Sequence, residues 1–261
     1  MRWGLSPRVH RCGRPCFLPL EHKRVGREFR LEKASLTLGA RLEACASFVR
    51  AGRIPADIGT DHAYLPIWLV SSGKHPRAYA SDINEEPVRL ATANIARYGL
   101  TDKIITLIAN GLEKIPPDDV DDIIIAGMGG DNTAEIIAAA EWLRAPRYRL
   151  ILQPMSHTER LREYLYTHGF TILSERPVCE AKRVYTVISA EFPANSAPFT
   201  ELDFYIGRLP RDNPYGRALL EKQAGILLAT ADGMTVKGDQ KAAAHWRGLA
   251  EQIMAYVKGE E

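Results

Sequence analysis

The chain has 261 residues, of which 46% are hydrophobic and 25% are charged, and its formal net charge at pH 7 is +2. This balance is typical of a soluble globular protein and excludes a disordered or fibrous one. The four cysteines are too few to form a disulfide framework for a chain of this length. Apolar runs all fall short of the ~18 residues of a membrane helix, so the sequence predicts no membrane-spanning segment.

The charge is divided unevenly between the first 30 residues and the rest. Residues 1–30 carry eight Arg and Lys against two Glu, a net charge of +6, and the remaining residues carry −4. This segment lacks the continuous apolar core of a signal peptide, so we expect a cytoplasmic protein with unpaired thiols at Cys45 and Cys179. We interpret residues 1–30 as a disordered basic extension.

Two other interpretations of this extension are open. Four potential zinc ligands lie within it, namely His10, Cys12, Cys16 and His22. Their Cys-x3-Cys spacing is loose for a zinc site, so no metal is predicted. The clustered Arg and Lys side chains could instead bind the phosphates of a nucleic acid. We favour the disordered extension over both.

The first helix is predicted to begin at Ser35 as its N-cap, because apolar residues follow at helical spacing as far as Val49, and Gly52 ends the run. Short apolar runs then alternate with longer amphipathic ones. The short runs predict seven strands, at residues 54–58, 77–83, 103–108, 121–126, 148–153, 170–178 and 183–192. The amphipathic runs predict helices at residues 63–72, 87–98, 132–143 and 158–168, with a short helix or loop near 112–115.

Strands that alternate with helices in this way pair in parallel through right-handed crossovers, and they form a doubly wound α/β sheet. The last two strands are separated only by residues 179–182, which is too short for a helical crossover, so we expect an antiparallel hairpin there. A mostly parallel, seven-stranded, Rossmann-like sheet with such a hairpin is typical of class I methyltransferases. We assign this domain to residues 31–193.

A second, smaller domain is predicted over residues 199–261, after a linker-like patch rich in Pro, Asn and Ser. Helical patterns over residues 214–230 and 237–258 are separated by Asp232-Gly233, which is a turn signal. Apolar residues on the two helices are spaced to face each other, namely Leu220, Gly225 or Ile226, Leu249, Ile253 and Val257. The pattern predicts a C-terminal helical hairpin that resembles a short coiled coil.

Acidic and glycine residues follow the first two strands. Asp57, Gly59 and Asp61 lie where the first strand meets the first crossover helix, at the sheet edge where ligands bind in such folds. Asp82 ends the second strand, where a carboxylate can accept hydrogen bonds from a ribose diol. Asp61 replaces a glycine that a dinucleotide site needs, and its charge would repel a pyrophosphate. The motif therefore favours S-adenosylmethionine over NAD, with a plain capped turn as the alternative.

Further polar and glycine residues follow the next two strands. Asn110 could accept a hydrogen bond from the amino group of adenine, or Asn110-Gly111 could form a simple turn. After the fourth strand, three glycines occur within residues 127–130, which indicates that something approaches the backbone closely. In a fold of this kind, the transferred methyl group and the target base would occupy that place.

Three motifs resemble, in order and spacing, those of the bacterial tRNA methyltransferases that modify N1 of adenine at position 22. They are Asp-Ile-Gly-Thr-Asp-His-Ala-Tyr-Leu-Pro at residues 57–66, Ala-Gly-Met-Gly-Gly at 126–130 and Leu-Gln-Pro at 152–154. The resemblance covers about residues 35–258 and leaves the basic extension outside. It implies a class I methyltransferase with S-adenosylmethionine as methyl donor and full-length tRNA as substrate.

The resemblance also implies roles for individual residues. Those expected to bind the cofactor are Asp57, Gly59, Thr60, Asp61, His62, Asp82, Ile83, Asn110, Gly111 and Gly127. Those expected at the catalytic centre are Asp61, Gly127, Met128, Gly129 and Gly130. Asn110 stands where the family commonly has Asp, and no metal ligand is implied.

Two other classes of protein are open on the sequence alone. One is an oxidoreductase or another nucleotide-dependent enzyme on a similar sheet, which a cofactor-binding assay would distinguish. The other is a non-catalytic RNA-binding protein that has kept the fold, although the intact glycine-rich loops argue against it. His62 and Tyr64 could stack on the target base, or they could only pack and cap the helix that follows.

Overall fold

A seven-stranded sheet lies at the centre of the computed structural model, which describes residues 36–193 and 198–260. Ser35 and the basic extension with His10, Cys12, Cys16 and His22 lie outside the described residues. The strand order is β3-β2-β1-β4-β5-β7-β6. The strands are β1 (Pro55–Ile58), β2 (Ala78–Asp82), β3 (Ile104–Ile108), β4 (Asp122–Met128), β5 (Arg149–Pro154), β6 (Thr171–Glu180) and β7 (Arg183–Glu191).

The pairing of the strands confirms the predicted fold class. β1 to β5 pair in parallel, whereas β7 is antiparallel to both β5 and β6. Central strands such as β4 are continuous apolar runs because helices cover both faces of the sheet. Ile123 and Ile125 point to one face and Ile124 to the other, and all three are completely buried.

Each face of the sheet is covered by its own set of helices. They are α1 (Ala40–Phe48), α2 (Tyr64–Ser71), α3 (Glu85–Arg97), α4 (Gly130–Ala138), α5 (Thr158–Thr167), α6 (Glu201–Ile206), α7 (Pro214–Val236) and α8 (Gln240–Lys258). Side chains of α1, α2 and α3 pack on the face that contains Ile124, and those of α4 and α5 pack on the other. Within the described ranges, no helix is both long and apolar enough to cross a membrane.

The predicted end of β4 and the predicted beginning of α1 were wrong. β4 continues two residues beyond the prediction to Met128, with a register shift between Ala126 and Met128. Gly127 makes this irregularity feasible because its φ is +87°. α1 begins only at Ala40, whereas residues 112–115 form a turn, in agreement with the predicted short helix or loop.

The turn predicted at Asp232-Gly233 was also wrong. α7 continues through both residues to Val236, and Asp232 instead pairs with Arg247 of α8 at 3.0 Å. The turn lies at residues 237–239, where Gly238 has a φ of +82° and the side chain of Asp239 caps α8. An Asp-Gly pair therefore does not end a helix that a second helix stabilises along its length.

The predicted helical hairpin is confirmed, but the prediction that Gly225 or Ile226 faces the second helix was wrong. Ile226 is 48% exposed and Gly225 is exposed too, and the buried apolar side chains of α7 are those of Leu220, Ala224, Leu227 and Ala231. They pack against Leu249, Ile253 and Val257 of α8, as predicted. Short helix α6, which the sequence analysis missed, begins with a capping box formed by Thr200 and Asp203. The boundary between the two predicted domains stays a prediction.

Candidate functional site

The loop between β1 and α2 has the conformation that its glycine permits. Gly59 has a φ of +77°, and the backbone N–H groups of Gly59 and Thr60 both donate to the carbonyl of Ser81 at 2.8 Å. A Cβ atom on Gly59 would overlap the side chain of Met128. The backbone angle therefore requires the glycine, and the end of the Met128 side chain fills the space that a Cβ atom would take.

A cavity of about 300 Å³ opens at this loop. Six of the predicted cofactor-binding residues line it, namely Asp57, Gly59, Thr60, Asp61, His62 and Gly127. Residues from two other elements complete the walls, including Arg41 of α1 and Tyr64 of α2. Parts of the chain that are far apart in sequence thus meet at the carboxyl edge of β1 and β4.

Asp57 is a buried carboxylic acid at the base of this cavity, with 9% of its surface exposed. Burial raises its pKa to about 6, because the charged form loses its hydration. The Thr60 hydroxyl beside it is also buried, and its interaction with the carboxylate opposes part of this rise in pKa. Buried polar groups of this kind favour a ligand that carries a positive charge and hydrogen-bonding groups.

Arg41 is a residue of the cavity wall that the sequence analysis missed. Its Nη1 donates to Gln153 Oε1 at 2.6 Å, and the same oxygen accepts from the backbone N–H of Gly127 at 3.1 Å. Glu180, in the β6–β7 hairpin, holds the other side of Arg41 through an ion pair of 3.5 Å. A lone arginine in an amphipathic helix gives no sequence signal, because its role depends on strands made more than 100 residues later.

Asp82 and Asn110 lie along the same edge but outside this cavity. Asp82 Oδ1 accepts from the backbone N–H of Asn84 at 2.8 Å, and its carbonyl accepts from Ala109 at 2.9 Å. The second bond joins the ends of β2 and β3. Ile83, the next residue, is 60% exposed. Asp82, Ile83 and Asn110 are therefore neighbours, as expected of groups that would bind one nucleoside.

Asn110 and Gly111 line a second cavity of about 410 Å³, between the turn after β3 and helix α4. Asn110 Nδ2 donates to Glu113 Oε1 at 3.2 Å. Gly111 has a φ of +55°, and a Cβ atom there would lie 3.1 Å from the side chain of Ile136. The Asn-Gly turn is therefore real, and the Asn110 side chain stands at its exposed rim.

Of the three glycines in residues 127–130, at the junction of β4 and α4, two are required by the structure and one is not. Gly127 has a positive φ, as described above. Gly129 is extended, with a φ of −68°, and precedes α4 as its N-cap. Gly130 donates to the carbonyl of Ser156 at 2.8 Å, and a Cβ atom on it would overlap the backbone of His157. Gly127 and Gly130 are thus fixed by the backbone, whereas a Cβ atom on Gly129 would meet only the Ser156 hydroxyl, at 3.3 Å.

Exposed polar groups surround these loops. Asp61 lies 3.3 Å from His62 Nε2, and the His62 ring stacks on Tyr64 with centroids 5.2 Å apart. A second pair, missed in the sequence, joins His157 to Asp131 beside Gly130. The hydrogen bond from His157 lowers the pKa of the Asp131 carboxyl group. In the part of the chain that the structure describes, no group of three or more His, Cys, Asp or Glu is arranged to hold a metal ion.

Comparisons with known proteins agree on one family. Residues 38–188 match the family model described as a methyltransferase domain. The tRNA (adenine(22)-N(1))-methyltransferase of Bacillus subtilis (strain 168) is 35% identical over 174 residues, which cover 67% of this chain and 73% of the relative.

Solved structures share nearly the whole described architecture. The B. subtilis m1A22 tRNA methyltransferase TrmK has a TM-score of 0.75 at 28% identity, covering 84% of this chain and 99% of that one. TrmK of M. capricolum in complex with S-adenosyl-homocysteine has a TM-score of 0.71 at 27% identity, covering 86% and 99%. The similarity therefore extends beyond the sheet to the C-terminal helices.

Proposed function

The chain belongs to the tRNA (adenine(22)-N1)-methyltransferase family, and from this membership we propose that it transfers the methyl group of S-adenosylmethionine to N1 of adenine 22 in tRNA. The observation that carries the proposal is the cavity between the loop after β1 and the glycine-rich loop after β4. It lies where a class I methyltransferase binds its donor, at the carboxyl edge of the sheet.

The residues at this edge fit the groups of the donor. S-adenosylmethionine supplies an activated methyl group on a sulfonium when it is bound. Its amino acid part carries one ammonium and one carboxylate, and the cavity offers Asp57 for the first and Arg41 for the second. Asp82 supports the proposal as the acceptor for the ribose hydroxyls, and Asn110 as the acceptor for the adenine amino group.

The roles of the catalytic residues follow from the chemistry of the acceptor. N1 of adenine carries a free lone pair, so no side chain has to remove a proton before the methyl group is transferred. The task of the chain is therefore to hold N1 in line with the methyl group, and orientation of this kind can contribute ~7–11 kcal/mol. We assign it to Asp61 and to the loop of Gly127, Met128, Gly129 and Gly130.

Base exposure is the other requirement. N1 lies on the Watson–Crick edge, so the adenine must leave its stack or pair before it reaches the loop. Asp61, His62 and Tyr64 form an exposed rim beside the cavity, where such a base could be received. The residues after β4 lack the Asn/Asp-Pro-Pro-aromatic motif of enzymes that methylate the exocyclic amino group of adenine, which supports N1 as the acceptor.

The proposed partner and location follow from the substrate. The partner is tRNA, and because tRNA is used in the cytoplasm of bacteria, we place the protein there. No membrane or metal partner is part of the proposal. The two open alternatives, an oxidoreductase and a non-catalytic RNA-binding protein, lose support because the family is now assigned.

The decisive experiment is nucleoside mass spectrometry after the protein is incubated with an unmodified tRNA transcript and S-adenosylmethionine. We expect 1-methyladenosine from a transcript with adenine at position 22, and none from a matched transcript with guanine there. A product methylated at another position or atom would contradict the proposal, as would absence of any methylated nucleoside.

A further inference from the structure

A groove of about 140 Å³ lies between the sheet and the C-terminal helices. One wall is the segment that leaves β5, residues 154–159, and the opposite wall is α7. Its floor includes residues 184–186 of β7. Pairing of β7 with β5 ends at Ile188, so this part of the β6–β7 hairpin extends beyond the carboxyl edge of β5.

The groove is joined directly to the proposed reaction centre. Met155, in its first wall, donates its backbone N–H to the carbonyl of Met128 at 2.7 Å. Ser156, the next residue, accepts from Gly130 at 2.8 Å. The wall of the groove is therefore hydrogen-bonded to the glycine-rich loop. If the target base of a nucleic acid lies at that loop, the nucleotide next to it lies at the groove.

The groove presents apolar and aromatic surface with hydrogen-bonding groups at its edges. Met155 and Ile226, which lie on opposite walls, are 43% and 48% exposed. Tyr185 and Tyr205 are half-buried within it, as is the Gln223 amide, and burial raises the pKa of Tyr205 to about 12. Unstacked bases are bound by such surfaces, through stacking and through hydrogen bonds to their edges.

The charges of the groove suit a nucleotide better than an anionic small molecule. Arg162, at its base, is already bound to the buried Glu175, so it offers no free charge. Lys222 contributes an exposed ammonium, and Glu159 contributes a carboxylate. One cation suffices for one phosphodiester, whereas the carboxylate disfavours a multiply charged ligand.

We propose that this groove binds one unstacked nucleotide of the tRNA, adjacent in sequence to the target adenine. The inference rests on the proposed function, since it takes tRNA as the substrate. Its volume is well below the roughly 300–1,000 Å³ of common ligand pockets, which fits a single base. Withdrawal of the target adenine from its stack leaves a neighbouring base exposed, and the groove would hold that base while the α7 wall fixes the strand.

A pair of charge substitutions on α7 tests the groove. Ile226→Glu places a carboxylate inside it, whereas Leu228→Glu places one two residues further along, on another face of the same helix. The two side chains are similarly exposed, at 48% and 43%, so both variants are expected to fold. We expect Ile226→Glu to raise the KM for tRNA at least tenfold with an unchanged Kd for S-adenosylmethionine. Leu228→Glu should alter both by less than twofold.

A direct probe of the base uses tRNA transcripts with 2-aminopurine in place of one nucleotide next to the target adenine, on either side in turn. Stacking on Tyr185 should quench its fluorescence on binding, and Tyr185→Ala should abolish the quenching. Tyr215→Ala is the control, because Tyr215 is 44% exposed on α7 but does not line the groove.

The outcomes separate the two proposals. If the unaltered protein forms no 1-methyladenosine, the proposed function fails and the groove assignment fails with it. If it methylates tRNA but Ile226→Glu and Leu228→Glu have equal effects, only the groove assignment is overturned. Quenching that is retained in Tyr185→Ala would overturn it equally.

Discussion

Asp57 is the residue at which burial and charge conflict most directly. Its pKa is raised to about 6 in the folded protein by desolvation, against an ordinary value of 3.8. An acid whose pKa is raised by folding keeps its proton longer in the native state, so its ionisation destabilises the fold as pH rises between those two values. Binding of a cation beside it would remove part of that cost.

Replacement of Asp57 with asparagine, which does not ionise, should remove this loss of stability. We expect the stability of Asp57→Asn, measured relative to the unaltered protein, to improve by about 1.4 kcal/mol between pH 5 and pH 7.5, since one pKa unit corresponds to 1.36 kcal/mol. Urea denaturation of both proteins at the two pH values, without cofactor, measures it. A pH-independent difference would show that Asp57 ionises normally.

Asp82 should govern cofactor affinity instead of stability. One of its oxygens is used by the Asn84 backbone, and it stands half-buried at the end of β2. We expect Asp82→Ala to weaken S-adenosylmethionine binding by about 1.5–3 kcal/mol, the contribution of a hydrogen bond to a charged group. Calorimetric titration measures the Kd, with Ile105→Ala as the control for general disruption, because Ile105 is 39% exposed on the adjacent strand β3 and has no role in the proposed site. An unchanged Kd for Asp82→Ala would remove this residue from the proposed site.

The position of a residue at the candidate site was predictable from the sequence where the residue lies at or just after the carboxyl end of a buried strand. Asp57, Gly59 and Asp82 belong to this group, because the carboxyl ends of parallel strands share one edge. Arg41 and His157 do not. Arg41 is held by Gln153 and Glu180, and His157 is paired with Asp131, so their positions depend on tertiary contacts that no local pattern encodes.

At the scale of elements, strands were predicted better than helix ends. A buried parallel strand is a continuous apolar run, and its limits in the chain are polar residues or glycine. The end of α7 is set differently. Asp232-Gly233 has the composition of a turn, yet Ala231 before it is completely buried and Arg247 of α8 pairs with Asp232. Packing against α8 outweighs local preference, which is worth about 1 kcal/mol per glycine.

The same helix provides a test with its own control. A Cβ atom on Gly233 would have no atom within 4 Å, so we expect Gly233→Ala to stabilise the protein by about 0.5–1 kcal/mol. A Cβ atom on Gly216 would overlap the carbonyl of Pro210, and Gly216→Ala should destabilise it. Thermal or urea denaturation of the two variants measures the difference. A destabilising Gly233→Ala would contradict the continuation of α7 through this residue.

At the scale of the whole molecule, one buried ion pair joins the two predicted domains. Arg162 of α5 binds Glu175 of β6 through two hydrogen bonds of 3.0 and 2.8 Å. The same arginine donates to the carbonyls of Phe204 and Tyr205, and Glu175 accepts from the backbone of Arg208. The side chains of the pair are 4% and 0% exposed.

Removal of one partner of the Arg162–Glu175 ion pair should destabilise the protein. We expect Arg162→Met to lower the free energy of unfolding by about 3–5 kcal/mol, because it leaves Glu175 buried and unpaired. The double variant Arg162→Met, Glu175→Gln should recover part of that loss, since it removes the buried charge. A double-mutant cycle by urea denaturation measures the coupling, and simple additivity would contradict it.

The contacts of Arg41 also determine when, during synthesis of the chain, the cofactor site can form. α1 is synthesised near the beginning of the chain, but Arg41 bonds to Gln153 and Glu180, which lie 112 and 139 residues later. At ribosomal rates of about 5–20 residues per second, the hairpin partner emerges roughly 7–28 s after Arg41. We therefore expect a nascent chain to be unable to hold its methyl donor until the sheet is almost finished.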